Sequence, residues 1–218
     1  MTSEDWQEPG SCPCLEMDRR TLLLSALGAG VGLAAAPALA QQQQPGAATP
    51  ARKRPQPGDV FVRATGDDKS TPLMVDDVPM GGPPVQAWPM DLNANVIRNG
   101  TRLNKLLLVR LDPNELDSAT RQNAAEGTIV YSVICTHTGC DVTGWREQEK
   151  ILQCPCHFSR FDPKRNAQVV AGPAPRHLPA LGVRAEQGRL VVAKPFDSRV
   201  GFTSSACWEA RGAPNSLA

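Results

Sequence analysis

The sequence lacks a strong excess of charge of either sign, and it has few aromatic residues. Its 218 residues carry 23 Lys and Arg against 22 Asp and Glu, for a net charge of +1, and only 5% are aromatic. No stretch rich in Lys and Arg runs through the chain, which excludes the basic surface that nucleic-acid-binding proteins need. Gly and Pro, in contrast, are abundant, at 18 and 20 residues. Because both interrupt helices and mark turns, a loop-rich β architecture is favoured over a helix bundle.

The first forty residues have the pattern of an export signal. Residues 21–40 contain no charged side chain, Arg19 and Arg20 stand immediately before them, and residues 38–40 are the small-residue sequence Ala-Leu-Ala. This arrangement predicts a twin-arginine signal with a cleavage site after residue 40. The eighteen apolar residues 22–39 would span about 27 Å as a helix, just short of a membrane core of roughly 30 Å. Retention as a membrane anchor is therefore the alternative, and the sequence leaves both open.

The segment after this leader is predicted to be a flexible linker. Residues 41–58 consist mostly of Gln, Pro, Gly and Ala, and such a composition cannot bury enough apolar surface to order itself. A domain is then expected over residues 59–200, followed by a C-terminal tail at residues 201–218.

Apolar runs within residues 59–200 predict an all-β domain. The predicted strands are residues 59–63, 105–111, 128–134, 150–153, 168–171 and 189–194. One short surface helix is expected between residues 112 and 127, begun by Asp112 and Pro113 and ended by Gly127. Residues 73–90 are too rich in proline to lie inside a sheet.

The chemistry of the sequence is concentrated in two short segments, each of which follows a predicted strand. Six Cys and His residues fall within 23 positions, and they are Cys135, His137, Cys140, Cys154, Cys156 and His157. Two turns of this kind on adjacent strands can supply four ligands, enough for a tetrahedral zinc ion or a two-iron cluster. One cysteine of each segment would then be spare, and an exported protein can join such a pair in a disulfide.

These segments resemble the paired motifs of the Rieske family, Cys-x-His-x-x-Cys and Cys-x-x-His with a second Cys inside the latter. The resemblance implies that Cys135 and Cys154 bind one iron of a single [2Fe-2S] cluster and that His137 and His157 bind the other. It also implies a disulfide between Cys140 and Cys156. The segment that begins with Gly172 and Pro173 looks like the proline loop that covers the cluster in this family. The implied fold is a Rieske-type antiparallel β-sandwich with a small rubredoxin-like cluster-binding subdomain at about residues 133–176.

A ligand set of two thiolates and two imidazoles has a direct electrostatic consequence. Two ferric ions, two sulfides and two thiolates sum to zero charge, whereas four thiolates would give minus two. A neutral cluster accepts an electron more easily, so its reduction potential is higher. The imidazole N–H groups can also release protons, which suits quinol oxidation.

The second motif departs from the form typical of cytochrome bc complexes. Ser159 is retained and is expected to donate its hydroxyl to a bridging sulfur. Phe158 and Phe161 stand where those proteins have Gly and Tyr, and a phenyl ring cannot donate the hydrogen bond that the Tyr makes to a cysteine sulfur. Phenylalanine at both positions resembles the small subunit of arsenite oxidase. Phe158 could equally serve only to shield the cluster.

The resemblance therefore implies an electron-transfer subunit rather than a complete enzyme. The expected role is transfer of single electrons from quinol toward a c-type cytochrome, on the periplasmic side of a bacterial inner membrane. The expected partner is a quinol-oxidising cytochrome b-type subunit or, in the arsenite-oxidase-like alternative, a molybdenum-containing catalytic subunit. A structural zinc module is the alternative from another class. His177 and Cys207 receive no role from the sequence.

Overall fold

The computed structural model describes residues 49–66 and 69–202. The predicted export signal or anchor at residues 1–40 lies outside this part of the chain, as do Cys207 and the rest of residues 203–218. Among the described residues, no helix is both long and apolar enough to cross a membrane.

The described residues form eleven strands in two antiparallel sheets. The strands are β1 Val60–Arg63, β2 Val85–Asp91, β3 Val96–Ile97, β4 Leu106–Arg110, β5 Thr128–Ser132, β6 Gly144–Arg146, β7 Ile151–Gln153, β8 Arg160–Asp162, β9 Gln168–Ala171, β10 Ala180–Glu186 and β11 Arg189–Phe196. The larger sheet has the order β1-β11-β10-β5-β4-β2-β3, and β1 also pairs with β2, which closes it into a barrel-like ring. The smaller sheet has the order β6-β7-β8-β9. The predicted all-β fold is confirmed, with a barrel-like body where a sandwich was expected.

The central strands β4 and β5 are apolar on both faces because they separate two cores. Leu106 and Leu108 point into the core inside the ring, whereas Leu107 and Val109 belong to a second core. Since successive side chains of a strand point to opposite faces, burial on both sides requires an uninterrupted apolar run. The second core continues under the smaller sheet and includes Phe161, and it places the ends of the site-bearing loops on a packed base.

The prediction that residues 73–90 stay out of the sheet is wrong for β2. This strand pairs with β1 and β4 even though it contains Pro89, which lies opposite Phe61. The carbonyl of Pro89 accepts a hydrogen bond from the Arg98 amide just beyond β3. Because N and C=O of one strand residue face the same side, the missing N–H of Pro89 faces the end of the two-residue β3, where few ladder bonds form.

The single helix predicted between residues 112 and 127 is instead two separate turns. Asp112 caps a 3-10 turn at Pro113–Glu115, as its sequence indicates, by accepting a hydrogen bond from the Asn114 amide. A second cap, Asp117, then starts the short helix α1 at Ser118–Arg121. A new helix begins here because the Asp117 carboxylate accepts a hydrogen bond from a free amide in the first turn of α1.

The flexible-linker prediction does not hold over the described part of residues 41–58. The 3-10 turn Pro50–Arg52 lies against the segment after β3, where the Gly100 amide donates to the Ala51 carbonyl. The Asn104 side chain donates to the Lys53 carbonyl at 2.6 Å. Amino-acid composition gave the wrong prediction because this segment is held in place by its backbone carbonyls. These groups form hydrogen bonds with the domain regardless of the side chains of the segment.

Candidate metal centre

Two loops with the same backbone hydrogen bonds carry the predicted ligands. We call residues 135–140 the first metal loop and residues 154–159 the second metal loop. In the first, the Cys135 amide donates to the Cys140 carbonyl at 2.8 Å, five residues on. In the second, the Cys154 amide donates to the Ser159 carbonyl at 2.9 Å, again five residues on. Each leading cysteine is therefore held at the start of a closed turn.

The fifth residue of each loop has a left-handed backbone. Gly139 has φ of 85° and Phe158 has φ of 57°, and each amide donates to the carbonyl of the leading cysteine at 3.1 Å. A left-handed conformation suits glycine but is costly for a residue with a side chain. The position at which the sequence substitutes Phe for the Gly of cytochrome bc proteins is thus one at which the turn demands positive φ.

A disulfide joins the two metal loops. Cys140 and Cys156 are bonded in the structure, with their Cα atoms 6.6 Å apart, as the resemblance implies. The sulfur atoms of Cys140, Cys154 and Cys156 all lie within 4.8 Å of one another. Because two of these three atoms are bonded to each other, Cys154 alone among them is available as a thiolate ligand.

The four predicted ligands lie on the facing sides of the two loops. Cys135 and Cys154 are both free and buried, and they belong to the same hydrophobic cluster. The rings of His137 and His157 are in edge-to-face contact, with centroids 4.7 Å apart. The structure therefore brings each cysteine near its counterpart and each histidine near its counterpart, while their assignment as ligands stays a prediction.

The environment of these side chains fits a bound metal centre. The Nδ1 atom of His137 is buried and has no hydrogen-bond partner among the described residues. A buried polar atom without a partner is unfavourable unless it serves another purpose, and metal coordination satisfies it. Burial raises the pKa of the Cys135 thiol, the His137 amide opposes this by hydrogen bonding, and the nearby Cys154 adds to it. A bound metal reverses that preference because a coordinating thiol loses its proton.

A third loop, which begins with Gly172 and Pro173, contacts both metal loops, and its role as a cover of the cluster stays what the resemblance implies. We call residues 172–176 the proline loop. Gly172 has φ of 86°, and a Cβ atom there would lie 2.5 Å from the Ser159 Cα and 2.8 Å from the Ser159 nitrogen. The proline loop thus approaches the backbone of the second metal loop as closely as only glycine permits, and Pro173 is exposed beyond the contact.

Two side-chain hydrogen bonds fasten the proline loop to both metal loops. The Ser159 hydroxyl oxygen accepts from the Ala174 amide at 3.1 Å. The Thr136 hydroxyl donates to the Arg176 carbonyl at 2.6 Å. Sequence reasoning missed Thr136, whose only signal is its place between two predicted ligands. Ser159 is fully buried, and its expected hydrogen bond to a bridging sulfur stays a prediction.

The two phenylalanines have different surroundings. Phe161 on β8 is fully buried, and it shares its hydrophobic cluster with Cys135 and Cys154. Phe158 is 63% exposed at the tip of the second metal loop. His157 next to it is exposed as well, whereas His137 is half-buried. The centre is therefore covered from the domain side and accessible at the His157 edge.

His177 lies outside the metal centre. Its Nε2 atom is 3.4 Å from an oxygen of Asp197, which also accepts hydrogen bonds from the Asn166 side chain and the Ala180 amide. Burial alone would raise the pKa of Asp197, but the hydrogen bonds from His177, Asn166 and Ala180 outweigh it and lower the pKa to about 2. His177 therefore helps to attach the chain just after the proline loop to Asp197, the residue that follows β11.

Comparison with known proteins agrees with this geometry. Residues 92–182 match the family model described as Rieske [2Fe-2S] domain. The chain is 37% identical over 106 residues to a cytochrome bc1 complex Rieske iron-sulfur subunit of Streptomyces lividans, covering 48% of this chain and 61% of that protein. It is 38% identical over 106 residues to a putative respiratory nitrate reductase subunit Rieske of Haloferax mediterranei, covering 48% of this chain and 47% of that one. The chain thus spans less than two thirds of either relative.

A solved structure is also similar to part of the chain. The soluble domain of Rieske protein II from Sulfolobus acidocaldarius aligns with 46% of this chain and 66% of its own, with 21% identity and a TM-score of 0.38. The family-model match covers both metal loops and the proline loop, and the motif cysteines and histidines face one another within it. The chain therefore contains a Rieske [2Fe-2S] domain, and the cofactor of that domain is a [2Fe-2S] cluster.

Proposed function

We propose that this chain is the Rieske subunit of an exported respiratory complex that passes single electrons from quinol toward a c-type cytochrome. The observation that carries the proposal is the pair of matching metal loops, which a disulfide joins and which hold Cys135 and Cys154 buried in one cluster and the rings of His137 and His157 in contact. Curated relatives named as cytochrome bc1 complex Rieske subunits support the type of complex.

The residues of this chain would hold and shield the cofactor rather than react themselves. Cys135, Cys154, His137 and His157 would hold the [2Fe-2S] cluster, which supplies the storage of one electron when bound. The disulfide keeps the two loops together, and the proline loop excludes water from the buried side. The exposed ring of His157 offers an edge at which a partner can approach and a proton can be exchanged.

The chain's third histidine provides a matched control for the ligand assignment. His137→Ala and His157→Ala should each abolish the two-iron absorption and electron paramagnetic resonance signals, with loss of bound iron. His177→Ala removes the same type of side chain outside the centre and should retain them. If all three variants keep the signals, the assignment is wrong. Iron, sulfide and zinc analysis of the same preparations also tests the alternative of a zinc module, which would contain zinc and give no visible absorption.

The expected complex is tested by the proteins that purify with the full-length chain from membranes. A cytochrome b-type subunit, together with quinol-dependent reduction of a c-type cytochrome, would support the proposal. Loss of that activity in His157→Ala, with His177→Ala active, would place this chain in the electron path. A complex without a b-type cytochrome would contradict the proposal.

A second candidate is the small subunit of an arsenite-oxidase-like molybdenum enzyme. The observation that favours it is phenylalanine at positions 158 and 161, where the buried Phe161 offers the centre no hydroxyl. This candidate predicts a molybdenum-containing partner and arsenite-dependent reduction of the Rieske centre. Purification of the complex separates it from the first candidate.

Export by the twin-arginine route is part of the proposal. A cluster inserted inside the cell can cross the membrane only within a folded chain, and the twin-arginine route carries folded chains. Replacing both Arg19 and Arg20 by Lys should leave cluster-loaded protein in the cytoplasm. Undiminished amounts of the variant in the periplasm would refute this route.

A further inference from the structure

A surface groove runs along one side of the domain and ends on the first metal loop. It consists of two adjoining depressions, each of about 430 Å³, which share Leu103, Arg199 and Val200. The first depression reaches Pro55, and the second reaches Gly139, which lies between a predicted ligand and the disulfide. We call the whole feature the arginine groove.

The lining of the arginine groove carries more positive charge than the neighbouring carboxylates neutralise. Arg54, Arg102 and Arg199 line it, and no Asp or Glu does so among residues 49–66 and 69–202. Arg102 is paired with Asp141 at 2.6 Å, whereas the hydrogen bonds of Arg54 go to the neutral oxygens of Leu103 and Asn104.

Arg199 has no ion pair within the part of the chain that the structure describes, and a further arginine lies near it. Burial lowers the pKa of Arg176, the charge of the neighbouring Arg199 lowers it further, and the carboxylate of Asp197 partly opposes both effects. Two guanidinium groups that repel each other are stabilised by an anion between or above them. Arg199 thus places at the groove a positive charge that no described carboxylate pairs with.

Apolar side chains accompany these charges. Leu103 is 40% exposed and Phe202 is 48% exposed at the same groove. The guanidinium of Arg54 lies 5.2 Å from the ring centre of Phe196, which holds both side chains in place. A mixture of arginine with exposed apolar and aromatic groups is typical of protein interfaces.

We propose that the arginine groove docks the protein that exchanges electrons with this domain and that this partner presents a carboxylate-rich surface with apolar residues between its acids. The inference rests on the proposed function. The groove ends at Gly139, whose carbonyl accepts a hydrogen bond from Arg102 at 2.9 Å, so a partner seated there reaches the loop that carries Cys135 and His137. A membrane surface exchanges no electrons with the centre and would not need to contact the groove next to the first metal loop. An electron-transfer protein does need that nearness, which favours an acidic protein as the occupant.

The test compares two charge reversals in the full-length, cluster-loaded protein. Reduced protein is mixed in stopped flow with an anionic ferric c-type cytochrome, so that one electron leaves the cluster and converts the haem to the ferrous form. Arg199→Glu should slow this transfer about 5- to 10-fold at low ionic strength, with the difference disappearing at high salt. Arg199→Gln should give a smaller loss. Arg184→Glu, at an exposed site of β10, makes the same charge change away from the groove and should leave the rate within about twofold.

A binding measurement separates failure of this inference from failure of the proposed function. A fluorescent hexaglutamate peptide should bind the wild-type protein more tightly than Arg199→Glu, with Arg184→Glu unchanged. If the peptide binds in this way but no cytochrome is reduced, the proposed function fails and the docking site stands. Equal effects of both reversals in both assays, or no effect of Arg199→Glu, overturn the docking site.

Two other occupants would also overturn the proposal. Binding to vesicles of anionic phospholipid that depends on Arg199, without binding of the peptide, would assign the groove to the membrane. Tighter peptide binding by the full-length Glu209→Lys variant, but not by Glu186→Lys, which makes the same charge change away from the groove, would assign the groove to the chain's own residues 203–218.

Discussion

Replacement of Gly172 by Ala tests how tightly the proline loop lies on the second metal loop. The new Cβ atom would lie 2.5 Å from the Ser159 Cα and 3.0 Å from the Phe158 carbonyl oxygen, and both are backbone atoms that cannot move alone. The left-handed backbone of Gly172 adds a cost of about 1–2 kcal/mol for any residue with a Cβ atom. Overpacking against fixed atoms adds about 1–3 kcal/mol, so a total loss of about 2–5 kcal/mol in the free energy of unfolding is expected.

Gly81→Ala is the matched control for this change. Gly81 has φ of 81°, close to that of Gly172, but a Cβ atom there meets nothing within 4 Å. The control therefore has the backbone cost without the overlap, and both variants share the same effect of Ala on the unfolded chain.

The two variants are compared by urea unfolding followed by far-ultraviolet circular dichroism, with the visible spectrum of the cluster recorded on the same samples. Gly172→Ala should be less stable than Gly81→Ala by about 1–3 kcal/mol and should alone change the visible spectrum. Equal losses of stability in the two variants would refute the close approach of the loops.

Three further predictions concern the disulfide, the potential and the pH dependence. The double variant Cys140→Ser with Cys156→Ser opens a loop of 16 residues and should lose about 3 kcal/mol in urea unfolding, and unchanged stability would contradict a structural disulfide. Phe161→Tyr should raise the midpoint potential in redox titration by up to roughly 60 mV if the hydroxyl reaches a ligand sulfur, because that bond favours the reduced state by about 1.4 kcal/mol. If the new hydroxyl bonds to a ligand sulfur and the midpoint potential is unchanged, the missing hydroxyl at position 161 does not lower the potential. Because the pKa of Asp197 is lowered from 3.8 to about 2, its contribution of about 1 kcal/mol after solvent screening is present above pH 4 and lost as the pH falls toward 2. Asp197→Asn should remove this part of the pH dependence of unfolding, and an identical pH profile would exclude that role.

The strands that the sequence predicts well are those whose side-chain pattern alone decides their structure. Residues 168–171 coincide with β9, and the runs at 105–111 and 128–134 contain β4 and β5 because both faces of these strands are buried. β2 was missed because Pro89 is tolerated only through the position of its neighbour β3 in space. That position depends on tertiary structure and leaves no mark in the local pattern.

The candidate ligands were predictable because cysteine and histidine are rare and their spacing is distinctive. The geometry around them was not predictable in the same way. Nothing in the identity of Phe158 shows that its φ is positive, and the role of Thr136 depends on a carbonyl forty residues away. Such contacts depend on how the two metal loops and the proline loop pack together in space. The spacing of residues along the chain does not reveal this packing.

If the leader is retained as the anchor that the sequence leaves open, the packing of residues 50–57 against the domain limits how far the domain can move from the membrane. Had the whole segment 41–58 been extended, it would have allowed a reach of about 60 Å from the membrane surface. With the chain fixed to the domain from Pro50 onward, nine residues, 41–49, remain to bridge the distance, and they span at most about 32 Å. To reach an acceptor farther away, the domain would first have to break the hydrogen bonds to the carbonyls of Pro50, Ala51 and Lys53. These bonds would therefore restrict the distance over which the anchored domain can diffuse.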